Sequence, residues 1–109
     1  MYLTEDAIDN TLRSMAAFPE GSEVVLTFLQ HPSSKSAKEA YSRLARHVAD
    51  IGEPFVSYFE PEEIERKLLQ TGFRRIDFLT SEDAYKTYYK QRQPDLPVPD
   101  HTGIVCAMR

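Results

Sequence analysis

Val24-Val25-Leu26-Thr27-Phe28-Leu29, followed by Gln30-His31-Pro32-Ser33, is the stretch on which the fold turns. The first six residues form a nearly continuous apolar run rich in β-formers. Such a run predicts a strand covered on both faces, as in a parallel or mixed sheet. Upstream, Thr4 to Ala17 reads as a helix. Thr4 can cap it, Glu5 and Asp6 sit where the helix dipole favours carboxylates, and Ile8, Leu12 and Met15 mark a buried stripe. Leu3 and Ile8 occupy the two positions of a hydrophobic staple. Phe18-Pro19-Glu20-Gly21 turns the chain into the strand.

Downstream, a helix over about Ser34–Ile51 carries Ala37, Tyr41, Leu44, Val48 and Ile51 on one face. Gly52 caps it and Pro54 stops it. Phe55 to Phe59 is an apolar linker, and Pro61 opens a third helix at its favoured first position, with Ile64, Leu68 and Leu69 as the stripe and Gly72 at its end. Phe73–Thr80 reads as a second strand, with Ile76 and Phe78 opposed to Arg75 and Asp77. Ser81 is read as the cap of a fourth helix bearing Tyr85, Tyr88 and Tyr89. Gln93–Pro99 holds three prolines and reads as a loop. Gly103–Met108 is the last strand, with Ile104, Cys106 and Met108 on one face. Alternation of strands and helices predicts an α/β fold.

The 109 residues make one domain or part of one, with a modest core. A net charge of −4 opposes nonspecific nucleic-acid binding or attraction to an anionic membrane. No apolar run approaches the length of a membrane span, and the acidic start lacks the marks of a signal peptide. A lone cysteine, Cys106, rules out an internal disulfide framework and suits a reducing cytoplasm. The chain has only four glycines, Gly21, Gly52, Gly72 and Gly103, and no two are neighbours. A glycine-rich turn that brings backbone N–H groups onto a phosphate or nucleoside cannot be built from them.

Several spaced motifs agree in order with one family. Met1-Tyr2-Leu3-Thr4 leads into a helix, and Phe18-Pro19-Glu20-Gly21-Ser22 precedes a strand. Gly52-Glu53-Pro54-Phe55 is followed by Ser57, Phe59, Pro61 and Glu63, and then by Gly72-Phe73. Tyr88, Tyr89 and Arg92 precede the proline-rich loop. On these residues the chain resembles the C-terminal part of a class I S-adenosylmethionine-dependent methyltransferase. It is similar to the leucine carboxyl methyltransferase family, including bacterial members described as O-methyltransferases of polyketide biosynthesis. The likeness covers nearly all of this chain and about the last third of the family's domain. It implies a partial Rossmann-like α/β fold with a three-stranded mixed sheet and about four helices. The last strand would insert antiparallel between its predecessors, in the order one-three-two. It also implies that residues 1–109 are a single C-terminal segment without the cofactor-binding part. Met1 then corresponds to an internal methionine of the family's motif.

The same resemblance places Tyr2 beside the methyl-transfer site, where a phenol can hold a substrate carboxylate. His31, just past the first strand, is the second substrate-binding candidate, as a base or a polar wall; its plainer reading is a solvated loop histidine. Tyr85, Tyr88 and Tyr89 read as half-buried core, or as the wall of an aromatic acceptor pocket. Arg43, Arg46 and Arg92 can attract an acidic substrate but also suit a solvated face. His47 reads as helix surface. His101 has no carboxylate or cysteine at metal spacing, and no metal site is expected. Cys106 reads as an inert buried thiol. Glu60, Glu62, Glu63 and Glu65 are explained by the helix dipole. No catalytic or cofactor-binding residue is assigned.

The cofactor implied for the parent family is S-adenosylmethionine, with none expected on this chain alone. Two classes of function follow: the acceptor side of a methyltransferase, or a non-catalytic interaction module or remnant of a methyltransferase. Under the second, cutting the sheet before the first strand exposes an apolar edge, and self-association is expected, through the Val24–Leu29 edges or by exchange of the N-terminal helix.

Overall fold

The computed structural model describes residues 2–92 and 102–109. Among them, α1 (Glu5–Ala16), β1 (Glu23–Leu29), α2 (Lys35–Asp50), α3 (Pro61–Thr71), β2 (Arg75–Leu79), α4 (Ser81–Ala84) with a π turn (Tyr85–Tyr89), and β3 (Thr102–Met108) follow in order. The sheet has the order β1-β3-β2, and β3 runs antiparallel to both neighbours. The outer strands β1 and β2 therefore run the same way. Their carboxyl ends, Leu29 and Leu79, lie at one end of the sheet, where open α/β folds place their ligand crevice.

Local chemistry sets most element ends. The Thr4 hydroxyl accepts from the Ala7 N–H at 3.3 Å, and the Ser34 hydroxyl accepts from the Ala37 N–H at 3.2 Å. Ahead of α3, the Glu63 carboxylate accepts from the Glu60 N–H at 2.8 Å, so one of the dipole-explained glutamates also closes a capping box. Gly72 ends α3 in the left-handed region at φ 114°, where a Cβ would be strained. The fourth helix corrects the expected cap. Thr80, not Ser81, is the N-cap, its hydroxyl accepting from the Asp83 N–H at 3.1 Å. After one α turn the segment widens into a π turn, with the Lys90 N–H donating to the Tyr85 carbonyl at 2.8 Å. The expected loop at residues 93–99 lies outside the described residues.

The core forms on one face of the sheet. Val24, Leu26 and Phe28 of β1, Val105 and Ala107 of β3, and Ile76 and Phe78 of β2 point to the same side, where Leu12, Ala16, Phe59, Ile64, Leu68 and Phe73 meet them. On β3 the buried set is Gly103, Val105 and Ala107. Ile104, Cys106 and Met108 do share a face, but it is the outer, half-exposed one. Lys67 ties α3 to α1: its ammonium lies 2.8 Å from Glu5 and 2.9 Å from Asp9. It also sits 5.7 Å from the centroid of the Phe59 ring. Hydrogen bonds to Glu5, then to Asp9, raise the titration of this amine above its ordinary value and so hold it charged.

Two expectations fail in packing. β1 is covered on one face along its length, and on the other only at its end: Val25 is 66% exposed, whereas Leu29 is buried. An apolar run therefore marked β-propensity here rather than two-sided burial, because no element among the described residues lies over Val25. Helix α2 buries none of its side chains, and Leu44 and Ile51 of its stripe are exposed. Tyr41 anchors the stripe against the rings of Phe55 and Tyr58, and Ala37 and Val48 are half-buried. The protein is flat, 41 × 37 × 20 Å, with a radius of gyration of 15.5 Å. A compact domain of this length has a radius near ~13 Å.

Candidate functional site

Two backbone facts assemble the site. The Phe59 N–H donates to the Leu29 carbonyl at 2.8 Å, which pins the 55–59 linker beside the carboxyl end of β1. His31 leaves that same strand end two residues later. The imidazole consequently stacks on the Tyr58 ring, with centroids 5.1 Å apart and planes 9° from parallel. Tyr58 meets Tyr41 of α2 edge-on at 6.1 Å, Tyr41 stacks on Phe55 at 6.0 Å, and Phe55 meets Tyr2 at 5.7 Å. Both substrate-binding candidates thus stand at the two ends of one chain of five rings.

Tyr2 is half exposed and His31 exposed, so each end of the ring chain is open to solvent. Its middle is dry. Burial, and then a hydrogen bond to Tyr58, push the Tyr41 phenol well above its ordinary titration, so it stays protonated at any physiological pH. The rings offer flat π surface, which holds planar groups by stacking and cationic groups through the ring quadrupole. An exposed imidazole and two phenols add hydrogen-bonding ends.

Tyr41, Phe55 and Tyr58 were not singled out from sequence as site residues. Tyr41 reads as one member of a helix stripe, and the other two read as linker. The Leu29–Phe59 hydrogen bond and the burial of Phe59 in the core bring the linker to this strand end, and the sequence carries no signal for that pairing.

The other candidates separate. Tyr85 and Tyr88 are exposed and Tyr89 is half-buried, so the core reading fails for the first two. Tyr88, Tyr89 and Arg92 line a cavity at the carboxyl end of β2. Arg43 and Arg46 lie with Lys35 and Lys38 along the polar side of α2, away from the ring chain, and His47 is on the helix surface. His101 lies outside the described residues. Cys106, expected to be buried, lies instead on the half-exposed outer face of the sheet, because the inward positions of β3 are Gly103, Val105 and Ala107. Partial burial and then the neighbouring carboxylates of Glu23 and Asp77 push its thiol up, which disfavours the thiolate. Among the described residues, no group of His, Cys, Asp or Glu is arranged to hold a metal ion. None of the described helices is long and apolar enough to cross a membrane.

A third feature lies along the free edge of β1. A cavity of about 140 Å³ opens there between α1, α3 and the strand, lined by Ile8, Leu12, Met15, Leu26, Phe28 and Leu68 among others. Leu3 also lines it, so the staple pair Leu3 and Ile8 forms part of its wall.

No family model matches the chain, and neither does any curated protein. The chain is similar in shape to a solved structure described as a possible exported protein from Bordetella parapertussis. The two are 15% identical, with a TM-score of 0.63 over 99% of this chain and 35% of that one. At this identity the likeness shows the fold alone. The chain spans about a third of the length of the protein it matches.

Proposed function

We propose that this chain is the acceptor-side segment of an S-adenosylmethionine-dependent O-methyltransferase, working with a cofactor-binding part that its own residues do not supply. The observation that carries the reading is the sheet: a last strand inserted antiparallel between two strands that run together, as the family resemblance requires. The ring chain from Tyr2 to His31 sits at the strand ends where an acceptor would be held. Methyl transfer is a direct displacement, and catalysis of it rests on positioning and exclusion of water. In this reading Tyr2 and His31 contact the acceptor, and the stacked rings form its wall. The lone Cys106 supports a cytoplasmic setting, and the acidic charge argues against nucleic-acid or membrane partners.

On this reading the purified chain shows no saturable heat when titrated calorimetrically with S-adenosylmethionine. Micromolar affinity of the chain alone would overturn the division of labour. A second arm tests the reading positively. Translation, in all frames, of the DNA preceding the Met1 codon should reveal a glycine-rich strand–turn–helix. Adding that polypeptide should create cofactor binding; if no such sequence exists there, the methyltransferase reading is rejected.

A second reading, a self-associating module, is favoured by the β1 edge. The Arg109 N–H donates to the Ser22 carbonyl at 2.9 Å, which sets the phase of the ladder. Val24, Leu26 and Phe28 then bond to β3, and Val25 and Thr27 turn their N–H and C=O groups to the free edge. The Leu29 carbonyl, accepting from Phe59 on that same edge, agrees with this phase. Two copies paired antiparallel through β1 would extend the sheet and satisfy those groups. Light scattering at micromolar concentration should give a dimer, and Thr27→Pro, which removes an edge donor, should give a monomer of unchanged circular dichroism. A wild-type chain that is strictly monomeric would sink this reading.

A further inference from the structure

From the cavity at the carboxyl end of β2 we infer a binding site for a single-ring aromatic carboxylate. It stands on its own geometry, whether or not the methyl-transfer reading holds. The cavity measures about 270 Å³ and lies between the outer face of the sheet and the π turn. Leu79 and Ile104, cross-strand partners on β2 and β3, supply an apolar floor. Tyr88 and Tyr89 supply ring surface, and Arg92 and Thr102 supply polar groups at the wall. A cavity near ~150 Å³ accommodates a benzene ring. The volume here admits such a ring together with a carboxylate.

The wall of the cavity stands on the π turn, in which the Lys90 N–H donates to the Tyr85 carbonyl. Arg92 follows Tyr88 and Tyr89 by four and three residues, so the three share the helical face that lines the cavity. Single π turns occur frequently at functional sites.

Charge points the same way. The whole chain is acidic, at −4, yet the segment 81–92 sets Lys86, Lys90 and Arg92 against Glu82 and Asp83. Glu82 is already paired with Lys86 at 2.7 Å, and Asp83 accepts from the Thr80 hydroxyl at 2.7 Å. The local balance is thus cationic. A guanidinium carries five N–H donors, enough to keep an intramolecular contact and still grip a carboxylate in bidentate fashion. Tyrosine rings meanwhile stack on an aromatic ligand.

The test is titration of the full 109-residue chain with benzoate, followed by amide chemical shifts in 1H–15N spectra. Saturable shifts are expected at residues 79–92 and 102–104, with the 55–59 linker unmoved. Benzamide, the neutral isostere, should bind about tenfold more weakly, and cyclohexanecarboxylate should also lose affinity. Arg92→Gln should weaken benzoate by about tenfold and leave benzamide unchanged, which separates lost charge recognition from misfolding. Tyr88→Ala, an exposed position, should weaken both aromatic ligands. No saturable shifts with benzoate, equal binding of benzamide, or an Arg92→Gln variant that binds as wild type would each overturn the inference.

Discussion

Leu68→Ala is expected to lower the free energy of unfolding by about 2–5 kcal/mol, toward the upper end of that range. Leu68 is 0% exposed and stands on α3 among Leu12, Phe59, Ile64 and Val105 in the one hydrophobic layer between helices and sheet. Truncation removes the transfer energy of its methyl groups and leaves a hole. The cost depends on how far neighbours can close that hole. Here Leu68 already borders the cavity of about 140 Å³ beside β1, so the new void joins an existing one instead of collapsing. Urea unfolding should show a lower midpoint with an unchanged slope. Leu68→Met, which keeps the volume, should cost less than about 1.5 kcal/mol. A loss below about 1 kcal/mol for the alanine variant would mean that the α1–α3 layer is not what holds the sheet.

Gly103→Ala is the second large effect, about 1–3 kcal/mol of overpacking from one methyl group. Gly103 sits directly opposite Phe28 in the β1–β3 register. A Cβ there would run into three atoms of the Phe28 ring, far inside van der Waals contact. The ring cannot swing clear. It is buried, and it packs edge-on against Phe78 with centroids 6.2 Å apart. An aromatic side chain lying over a cross-strand glycine is a packing unit in its own right, and both residues are needed for it. Phe28→Leu on its own should also destabilise. The double variant Gly103→Ala/Phe28→Leu should be more stable than the sum of the two single losses predicts, by at least about 0.5 kcal/mol. Strict additivity in a double-mutant cycle would show that the two side-chain positions do not touch.

The strength of the sequence reading varied along the chain for physical reasons. Element ends decided by a hydrogen bond to the next turn were legible: the Thr4 cap, the Pro61 start and the Gly72 stop all depend on residues within four positions of one another. The cap of the last helix slipped by one residue because Thr80 and Ser81 are both good caps and adjacent. The π turn was invisible, since i→i+4 and i→i+5 bonding use the same residue types. Partners across the sheet were a different matter. The strand order came from family resemblance, because hydrophobic period does not record which strand lies beside which.

Both substrate-binding candidates were named from the sequence, and the structure connects them through three rings that were not. Tyr2 and His31 stand 29 positions apart in the chain, and Tyr41, Phe55 and Tyr58 span the space between them. That bridge depends on where the 55–59 linker crosses the end of β1. The backbone hydrogen bond between Leu29 and Phe59 and the burial of the Phe59 ring in the core fix it together, and neither records in the sequence which strand end the linker meets.

By itself, then, the order of residues determined the local elements, the acidic surface and the lack of any glycine-rich turn, since each depends on neighbours along the chain or on composition. Only the tertiary structure decided which face of the sheet is covered, that α2 stands nearly unpacked, and that rings from α2, the linker and both candidate residues converge. Those outcomes depend on contacts between segments distant in sequence, where burial is a property of the assembled layer and not of any one strand or helix.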